Sequence, residues 1–159
     1  MMTRRLASVA MAGVLAFVVA ALPASAKPNF TGVWKLVADK SDFGPLPVPE
    51  KLEQKIEHND PEVKVVATQS TQSGEMTAEL NYNTEGKETT NQFRGQPMKC
   101  VAKWDGDALT VDSKIDFQGN EITLNDRWTL SEDGQTLILN RKINSPQGEM
   151  EMKIVLAKQ

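Results

Sequence analysis

The sequence predicts an all-β domain: a ten-stranded antiparallel up-and-down meander closed into a barrel and preceded by a signal peptide. Three observations carry that prediction. Glycines at 74, 86, 95, 106, 119, 134 and 148 punctuate the chain every nine to fifteen residues, the spacing of short strands joined by hairpins. Between them, apolar residues alternate with period two. Downstream of residue 26, no segment sustains a helical period.

The first element is a leader. Arg4 and Arg5 form a positive start, Leu6 to Leu22 run apolar without a charge, and Ala24-Ser25-Ala26 supplies the small residues of a cleavage site. Cleavage is expected after Ala26, because the apolar run is marginal for a span of about 20 residues. That leaves residues 27–159 as one domain and implies a periplasmic or secreted location, with no membrane span after cleavage. The lone cysteine, Cys100, rules out an intramolecular disulfide. Residues 27–159 carry 16 basic and 21 acidic side chains, spread rather than clustered. That balance argues against nucleic acid and anionic membrane surfaces as partners.

Strands are expected near 29–38, 51–58, 62–70, 75–83, 86–93, 97–104, 107–117, 120–130, 135–144 and 148–157. Met98, Cys100, Ala102 and Trp104 share one face, opposite Lys99, Val101 and Lys103. Leu109, Val111, Ile115 and Phe117 alternate with Thr110, Asp112, Lys114 and Asp116. Met150, Met152, Ile154 and Leu156 alternate with Glu149, Glu151 and Lys153. Only Asp39 to Glu50 breaks the meander, since Pro45, Pro47 and Pro49 forbid a strand interior or an ordinary helix.

Turn chemistry suggests register. Asp105-Gly106 and Asp133-Gly134 suit two-residue type I′ hairpins, in which both positions need positive φ. The first would set Ala102 opposite Leu109 and Cys100 opposite Val111. The second would set Leu130 opposite Leu137, Trp128 opposite Leu139 and Asp126 opposite Arg141. Folding between Ser145 and Gly148 sets Ile138 beside Val155, and with Val33 and Val37 these make an outer apolar patch. Phe43, Leu46 or Val48 is expected to cover part of that patch, with a homodimer through Val33, Val37, Ile138 and Val155 as the alternative.

Ten strands enclose more room than eight, and the inward face is mixed. Gln54, Gln69, Thr89, Asn91, Ser113, Asp126 and Arg141 stand among its hydrophobics. A cavity is therefore expected, walled by Ile56, Val65, Leu80, Met98, Val111, Trp128, Leu139 and Met152, with Gln54, Asn91 and Ser113 orienting a guest. Asp126 and Arg141 are expected to neutralise each other.

Catalytic patterns are missing. His58, the sole histidine, sits beside Asn59-Asp60-Pro61 without metal-ligand company and reads as a turn residue. Cys100 reads as a small buried apolar residue. Ser113, Asp126 and Arg141 line up across strands but make no triad without histidine. No phosphate loop is present. The expectation is a non-enzymatic protein with no metal and no cofactor.

Phe30-Thr31-Gly32-Val33-Trp34-Lys35-Leu36 resembles the G-x-W motif that opens the first strand of lipocalins and fatty-acid-binding proteins. With Lys40-Ser41-Asp42-Phe43-Gly44 and Trp128 to Gly134, the chain resembles secreted bacterial lipocalin-like proteins of the calycin superfamily. The resemblance implies that residues 27–159 are a lipocalin-like barrel closed by Trp34, with Arg141 stacked over it. Two features depart from the fatty-acid-binding pattern. The proline-rich segment cannot form the helical lid, and Arg141 precedes Ile143 where an Arg-x-Tyr would lie one strand later. The expected function is an exported protein holding a small hydrophobic or amphipathic molecule inside the barrel. The alternatives are a protein-interaction scaffold with a filled barrel and, third, an enzyme using the cavity.

Overall fold

The computed structural model describes residues 26–159; the expected leader lies outside the described residues except for Ala26. The strands are β1 (Gly32–Leu36), β2 (Lys51–Asn59), β3 (Glu62–Thr71), β4 (Gly74–Asn83) and β5 (Thr89–Phe93). They continue as β6 (Gln96–Asp105), β7 (Ala108–Phe117), β8 (Asn120–Leu130), β9 (Thr136–Ser145) and β10 (Gly148–Lys158). All ten antiparallel strands form one sheet in the order β4-β3-β2-β1-β10-β9-β8-β7-β6-β5. The first and last strands pair, so the sheet rolls into a nearly closed barrel. Its seam lies between β4 and β5, which share no ladder among the described residues.

The hairpin at Asp133-Gly134 has the expected register, with Leu130 opposite Leu137, Trp128 opposite Leu139 and Asp126 opposite Arg141. Its loop is longer than expected. Ser131 N–H donates to Thr136 O, Gly134 N–H donates to Ser131 O, and only Gly134 of the central pair has positive φ. The hairpin at Gly106 is corrected by two residues: Ala102 faces Val111 and Cys100 faces Ser113. There the turn pair is Gly106-Asp107, with positive φ at Gly106 alone. That is the type II′ requirement of glycine at the first central position. A slip of two keeps every side chain on its expected face, which is why alternation could not detect it.

The proline-rich segment is also corrected. After β1 the chain makes a short 3-10 turn, Ala38–Lys40, and rejoins β10 through Asp42, whose backbone exchanges hydrogen bonds with Lys153. Phe43 then turns into the barrel core instead of covering the outer patch, while Leu46 and Val48 remain 46% and 50% exposed. Val155 is buried by its own chain, with its backbone tied to Val37 and Ser41. Val33, Val37 and Ile138 are half-buried.

Inward residues sort by height. At the end holding the β2–β3, β6–β7 and β8–β9 turns, Phe30, Trp34, Val63, Leu109, Leu137 and Leu156 have no exposed surface. Phe30 stacks on His58 and Trp104 at 5.6 and 6.0 Å and meets the edge of Trp128 at 5.6 Å. This aromatic plug closes the floor. At the opposite end, Ala67, Leu80, Phe93, Leu124 and Ile143 pack on the core yet stay partly exposed.

Candidate functional site

The barrel interior rises from a sealed floor through a polar tier to an upper end whose inward apolar side chains are only partly buried. In the floor, Trp34 Nε1–H donates to Phe30 O at 2.9 Å, and the Phe30 N–H donates to His58 Nδ1 at 3.2 Å. Nδ1 is thus an acceptor, so Nε2 carries the proton and donates to Asp60 Oδ1 at 2.8 Å. Thr84 Oγ1–H donates to the same carboxyl oxygen. Partial burial works to raise the Asp60 carboxyl, but the hydrogen bonds from His58 and Thr84 outweigh it and hold the group below its ordinary range. His58 is therefore a buried structural clasp and not the turn residue that its neighbours suggested.

Arg141 does not stack over Trp34. Trp34 stands opposite Lys158 on β10, whereas Arg141 stands opposite Met152, six residues away along the same strand. At about 3.3 Å per residue that is roughly 20 Å along the strand. The Lys158 ammonium takes the cation's place instead, 5.7 Å from the Trp34 ring centre.

The polar tier crosses five neighbouring strands at mid-height. Asn91 Nδ2–H and Ser113 Oγ–H both donate to Cys100 Sγ, at 3.4 and 3.2 Å, so the buried thiol is held between β5 and β7. On β8 and β9, Arg141 Nε and Nη2 donate to Asp126 Oδ1 and Oδ2 at 2.7 and 2.6 Å. This bidentate pair is unevenly wet, with the Asp126 side chain 6% and the Arg141 side chain 29% exposed. Burial alone would ease the proton off Arg141, but the Asp126 charge and hydrogen bonds prevail and its pKa rises. Nearby, burial pushes the Tyr82 phenol well above its ordinary range, and the Asp126 charge adds to the push.

The structure divides the expected wall between levels. Ile56, Val65, Val111, Trp128 and Leu139 belong to the solid lower core and face no open space. Met98, Asn91, Ser113 and Met152 form the tier, buried but bordering the upper level. Gln54 and Leu80 are half-buried. Gln54 Oε1, Trp104 Nε1 and Trp128 Nε1 are buried polar atoms without a partner among the described residues.

Sequence reasoning missed the upper residues Ala67, Met76, Ala78, Phe93, Leu124, Ile143 and Met150. All have the inward parity of their strands and could have been drawn from alternation alone. The choice fell on mid-strand positions because nothing in the sequence says which end of a barrel is plugged. A groove of about 520 Å³ lies at the seam, bounded by Met76, Ala78, Asn81, Asn91 and Phe93 among others. Its size suits a small molecule. Among the described residues there is no group of three or more His, Cys, Asp or Glu side chains arranged to hold a metal ion.

No family model and no curated protein matches the chain. Solved structures do. A secretory abundant heat soluble protein from Ramazzottius varieornatus superposes with a TM-score of 0.62 at 17% identity, over 86% of this chain and 98% of that one. Zebrafish ileal bile acid-binding protein, complexed with cholic acid, superposes with a TM-score of 0.56 at 19% identity, over 82% of this chain and 98% of that one. A mutant of the fluorescent protein UnaG gives 0.54 at 15% identity, over 82% and 96%. At such identities the likeness speaks to the fold alone.

Proposed function

We propose that this chain is an exported, periplasmic or secreted, non-enzymatic protein that holds a small, largely apolar molecule in the upper half of its barrel. The observation that carries the reading is the ring of inward apolar side chains left partly exposed above a polar tier, among them Leu80, Phe93, Leu124 and Ile143. A closed core would bury them, at about 25 cal/mol for each Å² of apolar surface removed from water. An amphipathic guest does so and still meets polar groups below. Asp126 engages Nε and Nη2 of Arg141, which leaves Nη1 for another acceptor. Export rests on the leader-like composition of residues 1–26.

That solved structures of this architecture include one complexed with cholic acid is in keeping with the reading. A second reading, a scaffold that docks another protein, draws on the filled lower half and on Leu46 and Val48, exposed in the proline-rich link. Native mass spectrometry of the mature protein from its own envelope, followed by organic extraction, separates the two. A reproducible bound small molecule supports the binding reading. Ligand-free protein that also leaves anilinonaphthalene sulfonate dark would overturn it in favour of the scaffold.

A further inference from the structure

The seam between β4 and β5 is bridged by a single side chain. Asn91, buried on β5, accepts the Asn81 N–H through Oδ1 at 2.7 Å and donates Nδ2–H to Asn81 O at 3.0 Å. A carboxamide has the same donor and acceptor as a peptide unit, so Asn91 supplies one rung of a ladder that the two backbones do not form. Both backbone groups of Asn81 face the seam. By strand alternation, so do those of Thr77 and Glu79, and no ladder partner meets them among the described residues. The groove at the seam is bounded by side chains of both parities: Met76, Ala78 and Phe93 from the inner face, Thr77, Glu79 and Gln92 from the outer. It therefore occupies the gap between the two strands and meets side chains of both faces.

We propose that this groove is a lateral entrance to the upper half of the barrel and that Asn91 is its latch. The inference rests on the binding reading above. Asn91 is well placed for the task, because its third bond, to Cys100 Sγ, is weak and the Asn81 rung is its main hold on the wall. Swinging the carboxamide away would free β4 from β5 without breaking a backbone hydrogen bond between them. The remaining strands stay fully laddered, so opening is confined to the seam.

Two measurements test the latch. Amide hydrogen exchange of the unliganded protein should show the Asn81 N–H protected relative to Thr77 and Glu79, and Asn91→Ala should speed its exchange by about tenfold, the worth of one hydrogen bond. Stopped-flow uptake and release of anilinonaphthalene sulfonate should both accelerate in Asn91→Ala; because Asn91 also borders the proposed site, the Kd is read in Asn81→Pro, where it should hold while both rates rise by a similar factor. A gate alters both rates together, whereas a ligand contact alters release and affinity. Asn81→Pro is the second variant. It deletes only the N–H of the rung at an edge position that tolerates proline, and it should accelerate both rates in the same way. An Asn81 amide as labile as Thr77 and Glu79, or probe rates unchanged in both variants while binding persists, would overturn the latch and leave the binding reading standing. A protein that takes up no probe at all overturns the binding reading and the entrance with it.

Discussion

At the lower end of the barrel, Phe30, Trp34, Leu137 and Leu156 have no exposed surface, and the one histidine is clasped between a backbone N–H and Asp60. At the upper end, side chains with the same inward parity, such as Met76, Leu80, Leu124 and Ile143, remain partly exposed. Both ends draw on the same residue types and the same alternation. They differ in what caps them. The lower end is crossed by the chain before β1, which drops Phe30 between His58, Trp104 and Trp128. The upper end receives Phe43 and Pro49 from the proline-rich link, whose Leu46 and Val48 stay in solvent. Stability is thus concentrated in the floor, while the inward side chains above it keep part of their surface in water.

The sharpest way to break this comparison is a pair of truncations. Phe30→Ala empties a fully enclosed site and should cost about 4 kcal/mol in chemical denaturation. Leu124→Ala, in the partly exposed upper wall, should cost roughly 1 to 2 kcal/mol, since less surface is buried there, and should weaken probe binding. Equal losses at the two sites would dissolve the distinction between a structural and a functional half.

Asp126→Ala probes the boundary between them. Removing one partner strands the Arg141 charge in the tier and should cost about 3 kcal/mol, toward the lower end for buried pairs because Arg141 keeps some solvent. A loss under about 1 kcal/mol, as for an exposed pair, would place the tier in bulk water and not in the barrel.

The smallest effect is spectroscopic. Tyr82 is the single tyrosine, so tyrosinate absorbance reports it alone. Burial raises its folded pKa above the ordinary value of 10.0, so the unfolded chain loses that proton first as pH rises. The Tyr82 contribution to stability is complete below pH 10 and falls away above it. Tyrosinate should therefore appear only as the protein unfolds, and Tyr82→Phe should blunt the alkaline loss of stability. A tyrosinate signal near pH 10 from the folded state would show the phenol in contact with solvent.

Alternation and turn residues in the sequence were sufficient for the strand count, the face of each side chain, the Asp133-Gly134 register and the Asp126–Arg141 pairing. These are local or nearest-neighbour properties, governed by a period of two and by hairpin geometry. The two-residue slip at Gly106 escaped because it leaves every face unchanged. Three features arise only in the closed tertiary structure: the burial of His58, the replacement of Arg141 by Lys158 over Trp34, and the seam bridged by Asn91. Each depends on the height at which distant strands meet around the barrel, and so on how strand positions offset as the sheet curls. Composition and spacing carry no measure of that offset. The sequence by itself therefore determined which residues face inward, and the tertiary structure alone decided which of them are sealed in the floor and which keep contact with solvent.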